Sequence, residues 1–342
     1  VRATVVIRSK DEADRLRLTL VSLASQTEPA EVVVVNDGST DHTAEVLVDA
    51  AREMDLRAVH HARPAGRSVA ANVGAAQATG DVLLFLDGDT LAAPDLVARH
   101  LEAHRRMPRL VVRGETWHLR CTRPFLDPEA GTPQPGEEAR VERMPVQERE
   151  RALVTRRQIR GAFAEIERRG QRGVYPGVGP RRLVELEKEA LDEHPDCPVL
   201  WAAASGSNQS VNRAAFLDAG GFDPELTINE HRELALRLCR SGLRMTGTPG
   251  RSYHMIHRSG WRDPLQETAW EEIFYRAHPL PEVPLLAFFW GSLSDPVPFP
   301  ATAAIPTLPE LARCAERYRG IIGLKEVREA HLRVSMAGSQ PS

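Results

Sequence analysis

Two carboxylates one residue apart, Asp87 and Asp89, flank Gly88 directly after the most strand-like apolar run of the chain, Val82 to Leu86. The glycine lets the backbone turn, so both side chains can face one hard divalent cation, which takes oxygen ligands and keeps positions open for a diphosphate. Asp-Gly is also a common turn pair, so the motif gains its weight from its place after a strand. A second polar cluster, Asn36-Asp37-Gly38-Ser39-Thr40-Asp41, follows another buried-strand pattern and opens a helix. There Asp37 can accept from a base N–H or a ribose hydroxyl, and helix-start amides can receive an anion. A capped helix after a tight turn accounts for Ser39 to Asp41, but not for an Asp37 presented at the same rim as Asp87. In a third segment, Gly66 to Gly74, small residues let a helix approach a sheet closely, and Arg67 could meet a phosphate or a base. A tightly packed helix with a solvent-facing arginine explains that segment equally well.

The elements that must position these residues follow from the pattern around them. Val5-Val6-Ile7, Glu31 to Val35 and Val82 to Leu86 read as strands, and β-branched residues on both faces belong in a covered, mostly parallel sheet. Val59-His60-His61 reads as a weaker third strand. Helical spacing follows at Leu16, Leu20 and Leu23, at Ala44, Leu47, Val48 and Ala51 behind a Thr40 or Asp41 cap, at Ser68 to Thr79, and after Pro94. Such alternation means βαβ units and a doubly wound sheet, whose ligands bind beyond the carboxyl ends of the strands. From Cys121 to His194 the pattern changes. A Pro/Gly-rich loop at 124–136 precedes an Arg- and Glu-crowded helical stretch at 146–169, with Leu153, Ile159, Phe163 and Ile166 as a thin apolar stripe. A further helical piece runs over about 181–192, and the whole reads as a solvated helical insertion or as an acceptor- or partner-binding arm. Core patterning returns at Val199 to Ala202. An amphipathic helix over Glu230 to Ser241 closes on Gly242, and a strand follows at Leu243 to Thr246. From 280 on, prolines abound and no period holds.

The bulk composition narrows the function classes. A chain of 342 residues with 42% hydrophobic and 27% charged content supports a sizeable core. Its net charge of −3 excludes a protein built to wrap nucleic acid. Four widely spaced cysteines with no CxxC pair indicate neither a zinc site nor a disulfide framework, and suit a reducing compartment. The first strand begins almost at residue 1, which leaves no room for a signal peptide, so a cytoplasmic protein without a transmembrane segment is expected. The apolar run Pro284 to Trp290 is too short to span a bilayer and leaves peripheral membrane contact or a homodimer open.

Taken in order, Val5 to Glu12, Val35 to Asp41, Gly66 to Gly74 and Asp87 to Asp89 resemble the GT-A fold glycosyltransferases of family 2. The match resumes over 208–257, where Asn212 to Phe216 and Gly220 to Asp223 look like the segment lining donor sugar and acceptor. The resemblance implies an α/β, GT-A (Rossmann-like), doubly wound and mostly parallel sheet with a helical insertion and an irregular C-terminal extension. The expected division is a nucleotide-sugar-binding half at 1–120, the insertion at 121–197, an acceptor and catalytic half at 198–260, and the extension, as lid or dimer element, at 261–342. It further implies inverting transfer from a nucleotide-diphosphate sugar, UDP-sugar favoured, with Mg²⁺ or Mn²⁺, to a hydroxyl or amine; the lack of an apolar run long enough to span a bilayer leans the acceptor toward a small metabolite or soluble glycan.

Roles follow by position. Arg8, Ser9 and Glu12 with Asp37 would hold the base, Asp87 and Gly88 would sit near ribose and metal, and Asp89 would be the principal metal ligand. His254, a better fit than His257, would be a metal- or phosphate-binding histidine. The family's base lies in a helix reading roughly E-D-x-E-L-x-x-R-L. Here Glu230-His231-Arg232-Glu233-Leu234 puts histidine at the aspartate's place, so Glu230 is favoured as base and His231 is next. Ala71 stands where the family often has arginine, and Arg67 would substitute from one turn earlier. The rival readings are a retaining transferase, a nucleotidyltransferase and a non-catalytic nucleotide-sugar-binding protein. A nucleotidyltransferase would need a glycine-rich loop that Arg8 to Glu12 lacks.

Overall fold

The apolar runs near the N-terminus pair side by side. In a computed structural model, which describes residues 1–172, 183–257, 267–292 and 298–337, the strands are β1 (Ala3–Ser9), β2 (Glu31–Asn36), β3 (Leu56–His60), β4 (Val82–Asp87), β5 (Thr90–Ala92), β6 (Leu110–Leu119), β7 (Phe125–Asp127), β8 (Thr132–Pro133), β9 (Gln209–Asn212) and β10 (Arg244–Met255). Eight of them form one sheet in the order β3-β2-β1-β4-β9-β6-β10-β5, and β7 and β8 form a small ribbon. The first four run parallel, in a register that sets Arg8 opposite both Val35 and Asp87. β9 is antiparallel to both of its neighbours, β6 and β10 are parallel to each other, and β5 is antiparallel to β10. The sheet is therefore mostly parallel, with β9 and β5 reversed.

Alternate residues of β1 serve different cores, as a two-sided sheet requires. Val5 and Ile7 pack under the helices Ala13–Ala24, Thr43–Ala50 and Leu96–Arg106, whereas Val6 packs against Ala71 and Ala75 of the helix Arg67–Gln77. That last approach is close: a Cβ on Gly74 would stand 2.6 Å from Val6. The expectation from small residues in this helix therefore holds for a stated reason.

The apolar stripe of the insertion turns inward: Ile159, Phe163 and Ile166 are buried with Leu18, Leu91, Leu119 and Tyr253, over the ends of β5, β6 and β10. One expectation needs correction: among its described residues the C-terminal extension is not irregular. It contains the helices Ala269–Ala277, Glu282–Gly291, Leu308–Arg317 and Leu324–Ala337. Two of its described prolines start helices rather than break them. Pro281 lies at the N-cap of the second of these helices, and Pro309 sits in the first turn of the third behind a Thr307 side-chain cap. The run Pro284 to Trp290 is interior, with Leu285, Leu286 and Phe289 fully buried in the core that also holds Val6, Leu83 and Val111 of the sheet. Its apolar surface is thus covered by this chain itself. Among the described residues no helix is long and apolar enough to cross a membrane.

Candidate active site

The turn after β4 and the end of β10 meet because β5 pairs with β10 in a register that sets His254 opposite Thr90. The backbone N–H of Met255 donates to the carbonyl of Asp89 at 2.9 Å. Asp89, 8% exposed, then lies 3.1 Å from His254 Nε2 and 2.9 Å from His257 Nε2 through the same oxygen, while Thr90 donates to its other one. One ligand atom from each of these three residues falls within 4.8 Å of the others, the spacing of a cation site. Burial alone would raise the Asp89 carboxyl, but His254 and His257 hold it well below the usual range. One carboxylate and two imidazole nitrogens form a donor set that fits a divalent cation. Behind the triad, His118 Nδ1 approaches His254 Nδ1 at 3.3 Å.

Asp87 faces elsewhere. Its Oδ1 is 3.5 Å from Arg8 Nε, and its backbone N–H donates to the Ser207 hydroxyl at 3.0 Å. Of the two carboxylates expected to share a metal, Asp89 stands in the three-residue cluster with His254 and His257, and Asp87 lies beside it, turned to Arg8. Gly88 lets the Glu12 carboxylate and the Ser9 hydroxyl approach this turn closely, since a Cβ there would displace the Glu12 side chain. Burial, then Asp89 and Asp87, push the Glu12 carboxyl well above its ordinary value. Three acids thus converge on one rim, a cluster whose mutual repulsion a cation would relieve.

Arg8 joins this rim to the far helix. Its Nη1 donates to Glu230 Oε1 at 2.9 Å, so one guanidinium touches Asp87 on one side and Glu230 on the other. Glu230 is 2% exposed and opens the helix Glu230–Arg240 behind Asn229, whose φ of 63° is the left-handed conformation that asparagine tolerates best after glycine. Burial would raise the Glu230 carboxyl, but Arg8 first and then His231 hold it well below the carboxylate range. The His231 ring lies beside it, with Nδ1 3.7 Å from Glu230 Oε2 and Nε2 2.9 Å from Arg232 Nη1. An arginine can only donate, so His231 Nε2 accepts and the ring proton resides on Nδ1, facing Glu230. Burial also lowers the His231 pKa.

Asp37 is placed at the rim but is already engaged. Its Oδ1 accepts from the Ala65 N–H at 2.7 Å and faces His61 Nδ1 at 2.7 Å, and its Oδ2 accepts from the Gly66 N–H at 2.9 Å. Burial works against these bonds, which nonetheless keep its carboxyl below the usual value. Arg67, the first residue of the next helix, is exposed and adds to the pull of Arg8 and His231 that keeps Glu230 ionised, while it only partly opposes the rise of the Glu12 carboxyl. Asn72, five residues along the same helix, exchanges two 2.8 Å bonds with the backbone of Phe222 and so anchors the Gly220-Gly221 turn.

Residues 4–124 match the family described as glycosyl transferase family 2. An uncharacterised glycosyltransferase, YfnE, of Bacillus subtilis (strain 168) is 28% identical over 252 residues, which are 71% of this chain and 62% of that one. The validoxylamine A glucosyltransferase of Streptomyces hygroscopicus subsp. jinggangensis (strain 5008) is 32% identical over 251 residues, 71% of this chain and 52% of that protein. The chain therefore spans about half to three-fifths of the length of these curated relatives. Among solved structures, S. aureus TarS 1-349 in complex with UDP-GlcNAc superposes with a TM-score of 0.52 at 14% identity, covering 100% of this chain and 93% of that one. The mannosyltransferase PcManGT from Pyrobaculum calidifontis, in complex with GDP-Man and Mn²⁺, superposes with a TM-score of 0.53 at 17% identity, covering 100% and 76%.

Proposed function

This chain is a GT-A fold member of glycosyl transferase family 2, and from that premise we propose that it transfers a sugar, with inversion, from a nucleoside-diphosphate sugar to a hydroxyl or amine. One observation carries the reading: Arg8 ties Asp87, at the donor end of β4, to Glu230, at the start of the helix facing it. A donor-side acid and a buried, ionised acid thus stand on either side of a single guanidinium.

In this mechanism the acceptor heteroatom attacks the anomeric carbon while the bond from that carbon to the diphosphate oxygen breaks. The acceptor proton passes to Glu230, which Arg8 keeps ionised and fixed in direction. Glu230 suits the role better than His231, because the one acceptor nitrogen of that ring already faces Arg232. Asp89, His254 and His257 would hold a divalent cation, whose charge offsets that of the leaving diphosphate. Arg67, exposed at a helix start beside the rim, would meet the phosphates. Asp37 supports the nucleotide pocket by pinning residues 65–66 under the base, with Ser9 and Glu12 on the opposite wall. A UDP-sugar is the favoured donor, and the acceptor is a small metabolite or soluble glycan.

The test is release of nucleoside diphosphate from UDP-glucose, UDP-GlcNAc, dTDP-glucose and GDP-mannose, with Mn²⁺, with Mg²⁺ and with chelator. Release from at least one donor that chelation abolishes is expected. Tight nucleotide binding with no release from any of them would instead favour a non-catalytic binding protein. The anomeric configuration of a transfer product separates inversion from retention.

A further inference from the structure

The helix Leu183–Glu193 belongs to the insertion and looks from its letters like one more charged, solvated element. One of its acids is nevertheless interior. Glu187 is 1% exposed, and its two oxygens are divided between two guanidiniums: Oε2 lies 2.5 Å from Arg113 Nη1 of β6, and Oε1 lies 3.1 Å from Arg232 Nη2. A buried carboxylate between two half-buried arginines is costly to assemble and is held only when the donors around it find partners. Here the partners are present. Arg113 donates to the Ala203 carbonyl at 2.8 Å, and Arg232 Nε donates to the Ala202 carbonyl at 2.8 Å. Arg232 also lies over the ring of Trp290, 5.1 Å from its centroid, so the C-terminal helices close the cluster from outside.

The remaining donor of Arg232, Nη1, faces the catalytic turn. It reaches Asn229 Oδ1 at 2.9 Å and His231 Nε2 at 2.9 Å, the residues on either side of Glu230. Acids and arginines therefore alternate through the interior from Asp87 through Arg8 and Glu230 to Arg232, Glu187 and Arg113. We infer that Glu187 is a positioning residue for Glu230, acting through the fork of Arg232 on Asn229 and the His231 ring. The inference rests on the reading of Glu230 as the base. It gives the insertion a part in the chemical step, beyond any selection of the acceptor. A carboxylate at 187 fixes which way the Arg232 fork points, that fork fixes the His231 tautomer, and the ring is left with Nδ1–H on the side of Glu230, 3.7 Å from Oε2 and without a hydrogen bond of its own until the site closes on its substrates.

Glu187→Gln tests this in the full chain, with ¹⁵N-labelled histidine and Mn²⁺-supported donor turnover as two readouts. The wild-type His231 is expected as the Nδ1–H tautomer, and the variant is expected to lose that preference. The kcat for nucleoside diphosphate release is expected to fall about tenfold or more with donor KM little changed, as for a misaligned reacting group. If Glu187→Gln does not fold, Arg232→Lys keeps the charge without the fork and is expected to give the same tautomer change. A folded variant of either kind that retains the Nδ1–H tautomer and wild-type kcat overturns the inference. Loss of the tautomer in a chain whose wild type turns over no donor would leave the network standing and count against the proposed activity instead.

Discussion

At residue scale, Asp89→Asn keeps the shape of the side chain and removes the charge that faces His254 and His257. Mn²⁺ affinity measured by EPR titration is expected to drop about 10- to 100-fold, and donor turnover with it; unchanged affinity would place the cation elsewhere. Glu230 makes a prediction about pH. Burial raises its carboxyl, but Arg8 and His231 more than reverse this, so its folded value lies well under the ordinary ~4.3. A base acts when deprotonated, so activity on its account is lost only as pH falls through that depressed value, and the acid side of kcat/KM stays level down to about pH 5. An acid limb just below the ordinary histidine value of ~6.5, abolished in His231→Asn, would transfer the role to His231. Both candidate bases are legible as letters, because the helix around them is regular and amphipathic. What separates them is the Arg232 fork, a contact between neighbours in sequence that no spacing rule reveals. His257 ranked second for a similar reason: its approach to Asp89 depends on how the chain leaves β10, which letters do not specify.

At the scale of elements, the helix Leu96–Arg106 turns two histidines inward onto β9. His100 meets Ser210 at 2.8 Å and Asn208 Oδ1 at 2.8 Å, and His104 meets Ser210 at 2.9 Å. Burial lowers both histidines to about 4. The folded chain keeps them neutral while the unfolded chain protonates them near ~6.5, so stability is whole above that value and is lost as pH falls from ~6.5 towards 4. The loss is on the order of 3 kcal/mol per histidine once the pH is below both values. Urea midpoints should therefore fall between pH 7.5 and 5, and a histidine-to-asparagine change at both positions should flatten that slope; an unaltered slope would contradict the assignment. The same contact explains why β9 was hard to find. Gln209-Ser210-Val211-Asn212 has one apolar side chain, and its central Ser210 is met by a helix more than one hundred residues away, while Gln209 and Asn212 accept from neighbours in sequence. β1, β2 and β4 lie in the open by contrast, since valine and leucine on both faces admit few alternatives to a covered sheet. β6 is masked by Arg113, Glu115 and His118, charged or polar residues that it uses for ion pairs and for the back of the cation site.

At the scale of the whole molecule, the C-terminal helices act as part of the core under the sheet. Phe289→Ala, at a fully buried position within that shared core, is expected to cost about 3–5 kcal/mol and to unfold sheet and extension in one transition by circular dichroism. A separate early transition of the extension alone would contradict that unity. Proline hides these helices from a reading by periodicity, because a helix-starting proline and a helix-breaking one are the same letter. The pairing of β5 with β10 has a consequence for how the chain comes of age. Residues 90–92 are made early, yet they find their partner only in residues 252–254, close to the end of β10. A slip of one residue in that pairing would turn His254 to the other face of the sheet. The cluster of Asp89, His254 and His257 therefore comes together only in a correctly closed sheet, so a cation held by these three residues would report completed folding.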